Sequence, residues 1–261
     1  MNADIFFAIG RTHPVCQDYA CLTPKGVALA DGCSQSPHSD FGARLLCRMA
    51  GLHGSADAAV EAQPLLESLA LPRGSLNATL LTAEWREETA STLAFVRGDG
   101  VIAALRRDGV RITVTVEFPS GAPLYPSYEM DPAVREAWAD RYGTTRVVTT
   151  YADDTVLSVE KAELRGPEGW LGTVVSREFV SSEFKLAVVA SDGLQSFRTV
   201  GRTGGIEPIP VTEVVAGILA VKTFPGDFLV RRVSRFLRDS AAKGWHHDDD
   251  VSVAGIHMEV P

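Results

Sequence analysis

Two short apolar runs, Val27-Ala28-Leu29-Ala30 and Leu186-Ala187-Val188-Val189-Ala190, each break off in an aspartate followed by glycine. The first ends at Asp31-Gly32 and the second at Ser191-Asp192-Gly193. Runs of this length read as buried strands, and a carboxylate where such a strand surfaces is held rigidly. The glycine beside it lets backbone carbonyls approach an ion. A third acidic cluster, Asp248-Asp249-Asp250, follows His246-His247 and precedes the alternating stretch Val251-Ser252-Val253-Ala254. Carboxylates gathered from such distant parts of a chain suit hard divalent cations such as magnesium or manganese.

The rest of the chain is read around these points. Residues 5–10 read as a strand. Residues 18–22 and 27–31 form a hairpin turned by Thr23-Pro24-Lys25-Gly26. A helix is predicted over 39–53, with Ser39 as its N-cap and Phe41, Leu45, Leu46, Met49 and Leu52 on one stripe. A second helix is predicted over 56–71, closed by Pro72-Arg73-Gly74. Strands follow at 90–96, 101–106 and 110–118, the last two joined by a turn at Asp108-Gly109. Residues 119–144 read as an excursion from the sheet with a short helix near 132–141, open to two readings: a substrate contact or a plain surface insertion. Strands resume at 145–150 and 155–159, helices at 211–223 and 227–242, and the chain closes on a strand over 251–258. Strands and paired helices alternate in blocks, which predicts an α+β fold with helices layered on largely antiparallel sheets. No repeat or linker interrupts it, so one domain over 1–261 is expected.

Composition narrows the function. Of 261 residues, 45% are hydrophobic and 22% charged, ordinary for a globular protein, and the net charge of −8 disfavours a nucleic-acid partner. Cys16, Cys21, Cys33 and Cys47 form no Cys-x-x-Cys pair and read as reduced thiols. No apolar run approaches the ~20 residues of a membrane span, and no signal-like segment opens the chain. A cytoplasmic protein without membrane contact is expected.

Five segments, in order, carry a resemblance. They are Gly10-Arg11-Thr12-His13 through Cys16-Gln17-Asp18, then Val27 to Gly32, then Thr89 to Val96 with Gly98-Asp99-Gly100, then Val188 to Gly193, then Asp249-Asp250-Val251-Ser252-Val253. In that order they resemble the motifs of the metal-dependent serine/threonine phosphatases of the protein phosphatase 2C family, in its compact bacterial branch. The resemblance implies a four-layer αββα sandwich of two antiparallel sheets flanked by helix pairs. It also implies a site for two manganese or magnesium ions, with a weak third. Asp31 would bridge two ions, the Gly32 carbonyl would ligate one, and Asp192 and Asp249 would complete a shell. Asp18 would stand near the second ion and Asp99 would match the third. Paired cations lower the pKa of a bridging water and stabilise the phosphoryl oxygens. The resemblance implies phosphoserine or phosphothreonine in a protein as the substrate and a cognate kinase as a partner, with a small-molecule phosphate ester left open because the metal centre itself does not read the substrate.

Two departures stand out. Gln17 replaces a glutamate of many relatives, which predicts a weaker second ion or one held through water. His13 takes the place of the family's phosphate-gripping arginine, with Arg11 close by. His13 has two open readings: a phosphate-binding or proton-donating group, or a histidine that only bonds the following loop. His246 and His247 read as a solvated loop, Asp248 as outside the ligand shell, Asp153-Asp154 as a polar turn, and Cys16 and Cys33 as small packing residues. Besides the phosphatase, two other functions fit the aspartates: a catalytically weak regulatory module and, against its acidic charge, a metal-dependent nuclease.

Overall fold

A computed structural model describes residues 2–166, 169–170, 172–201 and 204–259. One sheet takes seven strands in the order Asn2–Ala8, Val251–His257, Phe184–Ala190, Gly100–Arg106, Arg111–Glu117, Thr145–Ala152 and Thr155–Glu163. The other takes five: Val174–Val180, Ser91–Arg97, Leu80–Arg86, Gly26–Asp31 and Asp18–Thr23. Every pairing within the two sheets is antiparallel.

The two sheets stack, and the apolar runs show why. Side chains alternate across a strand. Val27 and Leu29 enter the core between the sheets with Ala187, Val189, Ala254 and Ile256. Ala28 and Ala30 turn the other way, beneath helices Ser39–His53 and Ala58–Ser68. On the far side Leu186, Val188, Val251 and Val253 pack under helices Val211–Leu219 and Phe228–Ala242. Strands covered on both faces read as continuous apolar runs, and the result is the helix–sheet–sheet–helix layering expected. Among the described residues no helix is long and apolar enough to cross a membrane.

Several expectations shift. The first strand is Asn2–Ala8 rather than 5–10. Ser39 does not cap its helix: His38, in the left-handed region at φ 56°, takes that position without a side-chain bond. The predicted stripe on that helix is also rotated. Leu46 and Met49 are buried, but so are Gly42, Ala43, Cys47 and Ala50, while Phe41 and Leu52 are exposed. Small residues let the helix lie close on the sheet, so they take the inner face. The helix predicted over 56–71 contracts to Ala58–Ser68, and that over 211–223 to Val211–Leu219. Strand Leu80–Arg86 escapes a sequence reading, since Leu, Ala, Glu and Arg are helix formers; its place in the sheet is set by partners on both sides. The Asp108-Gly109 turn is as expected, with Gly109 N–H donating to the Arg106 carbonyl at 3.1 Å.

Candidate active site

The expected carboxylates meet at one end of the stacked sheets. Asp31 ends the strand Gly26–Asp31, and Asp18 opens the neighbouring strand directly opposite it. Asp192 follows Phe184–Ala190, Asp249 precedes Val251–His257, and Asp99 stands in the turn between Ser91–Arg97 and Gly100–Arg106. Antiparallel pairing places all these strand ends on the same side. Asp31, Gly32, Asp99, Asp192, Asp249 and His13 line one cavity of about 160 Å³. Asp18 lies beneath it, fully enclosed, with Oδ2 accepting from Ser252 Oγ at 2.5 Å.

Burial and mutual repulsion govern these groups. Burial pushes Asp18 up to about 7, against the hydrogen bonds of Ser252 and Ser191 that favour its anion. Asp31 is held well above the usual carboxylate range by burial, then by the charges of Asp18 and Asp192. Asp99 is raised well above it by burial and the Asp192 charge, and Asp249 is raised by the same two causes. Among the described residues, Asp18, Asp31, Asp99 and Asp192 form no ion pair with a lysine or arginine. The carboxylates line the cavity without three of them, among the described residues, closing on one point as a ready-made ligand cluster. The donor set is nonetheless all oxygen, and Asp18 Oδ1 and Asp192 Oδ1 are buried without a hydrogen-bond partner. Oxygen donors left unsatisfied in this way fit a hard cation.

Among the described residues, His13 is the cavity's only basic side chain. Its Nε2 lies 3.5 Å from Asp249 Oδ1 and its Nδ1 3.2 Å from Asp250 Oδ2. The second contact is too poorly aligned for a good hydrogen bond, so the attraction is mainly one of charge. Burial alone would lower the imidazole, but Asp250, then Asp249 and Asp18, outweigh it and raise its pKa. Arg11 stands elsewhere. It lines a separate depression with Ile9, Phe197 and Trp245 rather than the carboxylate cavity, because the amides of Arg11 and Thr12 are tied to the His247 and Asp248 carbonyls at 3.2 Å.

Asp250, part of the fifth resembling segment but not among the expected ligands, organises the rim. Its Oδ1 accepts from Gly10 N–H and its Oδ2 from Gln17 N–H, each at 2.6 Å. A single buried carboxylate thus holds both ends of the segment that carries His13. Its carbonyl lies against Gly193, where a side chain would strike it. That close approach is what the second Asp-Gly pair requires. Gln17 is occupied too: its Nε2 donates to Ser39 Oγ at 2.7 Å and to the Cys33 carbonyl at 3.4 Å. Its amide therefore braces the loop after Asp31.

Other residues reach the cavity as well. Thr79 lines it with a buried, unpartnered hydroxyl, and its N–H donates to the Asp31 carbonyl at 2.8 Å. Thr89, where the third resembling segment begins, bonds Ser91 and lines a different depression beside the end of strand Leu80–Arg86. Gly121, Pro123 and Tyr125 bring the 119–144 excursion to the cavity as one wall. Burial and the neighbouring Cys33 push the Tyr125 hydroxyl up, so it stays protonated. Cys33 lines the cavity beside them; the excursion packs on a small core of its own, with Phe118, Leu124 and Trp138. Neither local pattern nor spacing marks Thr79, just before strand Leu80–Arg86, or Tyr125, just before the short helix Pro126–Glu129.

Neither a family model nor a curated protein matches the sequence. Solved structures do match the fold. The serine/threonine phosphatase Stp1 from Staphylococcus aureus superposes with a TM-score of 0.55 at 10% identity, over 100% of this chain and 96% of that one. A bacterial serine phosphatase matches with a TM-score of 0.55 at 10% identity, over 100% and 99%. The Mycobacterium tuberculosis serine/threonine phosphatase PstP matches with a TM-score of 0.50 at 11% identity, over 98% of each chain. At such identities the likeness is one of fold, and at that level it bears out the resemblance carried by the motifs.

Proposed function

We propose that this protein is a metal-dependent phosphoric monoester hydrolase acting on phosphoserine and phosphothreonine in proteins. One observation carries the reading: Asp31, Asp99, Asp192 and Asp249 line a single cavity above the enclosed Asp18, with His13 beside them as a basic side chain. Manganese or magnesium ions would be held by Asp31 and the Gly32 carbonyl, by Asp192 and Asp249, and by Asp18 and Asp99 at outer positions. When bound, such ions neutralise the phosphoryl oxygens and make water acidic enough to act as a nucleophile at neutral pH.

The chain's own residues do the remaining work. His13, whose acidic neighbours favour its protonated form, can attract the phosphate dianion and give a proton to the departing serine or threonine oxygen. Asp250 holds that histidine and its segment in place. The wall carrying Pro123 and Tyr125 narrows the cavity and orients a bound ester. A kinase acting on the same protein would supply the substrate.

The test is turnover of p-nitrophenyl phosphate and a phosphothreonine peptide with manganese, with magnesium and with chelator. Metal-dependent release of phosphate, lost with chelator and at least about 100-fold reduced in Asp31→Asn and Asp192→Asn, is expected. Tight metal binding with no turnover of either substrate would replace this reading with a phosphatase-like binding module. No metal binding would overturn both.

A further inference from the structure

The 119–144 excursion touches the body of the protein through a closed ring of contacts centred on Asn77. The Asn77 carbonyl accepts from Cys33 N–H at 2.8 Å, fixing the loop that follows Asp31. Its Nδ2 donates to Ser36 Oγ at 3.0 Å, further along that loop. Its Oδ1 accepts from Ser127 Oγ at 3.0 Å, on the excursion. Two residues before Ser127 stands Tyr125, which packs against Cys33 at the cavity wall and returns the ring to its start. One amide side chain therefore spans the loop bearing Gly32 and Cys33 and the segment bearing Tyr125.

The other polar links are weaker. Arg97–Glu129 and Arg73–Asp131 are each 3.6 Å apart, and Arg73 is 67% exposed, so that pair contributes little. Beside this contact the joint holds a cavity of about 240 Å³, and Met130 packs on the core under the first helix pair, so packing fills the joint only in part. Arg97–Glu129 is more enclosed but, at 3.6 Å, too long for a directional hydrogen bond, so the two-sided hydrogen bonding of Asn77 is the directional contact that sets the wall's position.

We propose that Asn77 is a positioning residue, the latch that sets the excursion, and with it Tyr125, against the carboxylate cavity. Its consequence for substrate binding rests on the hydrolase reading above; the latch itself does not. The full-length protein and its Asn77→Ala, Ser127→Ala and doubly substituted forms would be compared by hydrogen exchange and by kinetics. Exchange of amides 121–128 is expected to rise roughly tenfold in Asn77→Ala, and by less in Ser127→Ala, while strand 251–257 keeps its protection. With manganese and p-nitrophenyl phosphate, KM is expected to rise roughly fivefold with kcat within about twofold, and the double form to be no worse than Asn77→Ala.

Unchanged exchange over 121–128 in both single forms would overturn the latch. A loss confined to kcat, or additive effects in the double form, would overturn the positioning role. If the unsubstituted protein turned over no phosphate ester, the exchange data would still decide the latch, and the hydrolase reading alone would fall.

Discussion

Asp250 shows how much one side chain can decide without touching the chemistry. Its carboxylate accepts from two backbone amides, of Gly10 and Gln17, and sits beside the His13 ring. Both amides are drawn to a residue that is 1% exposed, so removing the acceptor leaves them without water to replace it. Asp250→Ala is expected to cost about 3 kcal/mol in urea unfolding, and Asp250→Asn about half of that, since the carboxamide keeps one acceptor. An Asp250→Asn midpoint equal to that of the unsubstituted protein would show that one of the two amides does not need the carboxylate.

At the scale of elements, helix Ser39–His53 joins fold to site. Its first residue bonds Gln17, and its second turn rests on the 3₁₀ turn Arg73–Leu76. Gly42 allows that contact: a side chain there would land on the Ser75 carbonyl, which is backbone and cannot step aside. Gly42→Ala is expected to destabilise by about 2 kcal/mol or more and to weaken metal binding through displaced Ser39 and Gln17. Phe41→Ala, by contrast, should fall within about 0.5 kcal/mol, because Phe41 is 40% exposed. Equal losses at the two positions would mean that the hydrophobic stripe, and not the small-residue face, binds the sheet.

For the molecule as a whole, the cavity stores electrostatic strain that pH and metal should release. Asp18 titrates near 3.8 when free and is pushed up to about 7 in the fold, chiefly by burial. An acid raised in this way supports the fold fully below its unfolded pKa and loses that support as pH climbs through the folded value. His13, also raised, acts in the same sense above its free value of 6.5. The metal-free protein is therefore expected to lose thermal stability steadily from about pH 4 to above pH 7. Manganese should restore more of it at pH 7.5 than at pH 5, since a cation stabilises only the ionised carboxylates. A melting temperature flat across that range in chelator would contradict the clustering of buried acids.

The sequence by itself determined the layers and the chief acids. Strands buried on both faces, such as 27–31 and 186–190, carry their period and their terminal aspartates within a few residues, so local pattern suffices. The same holds for the hairpin 18–31 and the turn at Asp108-Gly109. Tertiary structure alone decided which neighbours those acids have. Thr79 reaches the cavity, Arg11 falls outside it, Gln17 braces a loop, and Tyr125 arrives on an excursion that no motif marks. Each of these depends on where a loop is tied by strands distant in the chain, through contacts such as Gly10 with Asp250 and Cys33 with Asn77. Pairings of that range follow from the sheet order and from side chains filling one shared space, which no window of sequence contains.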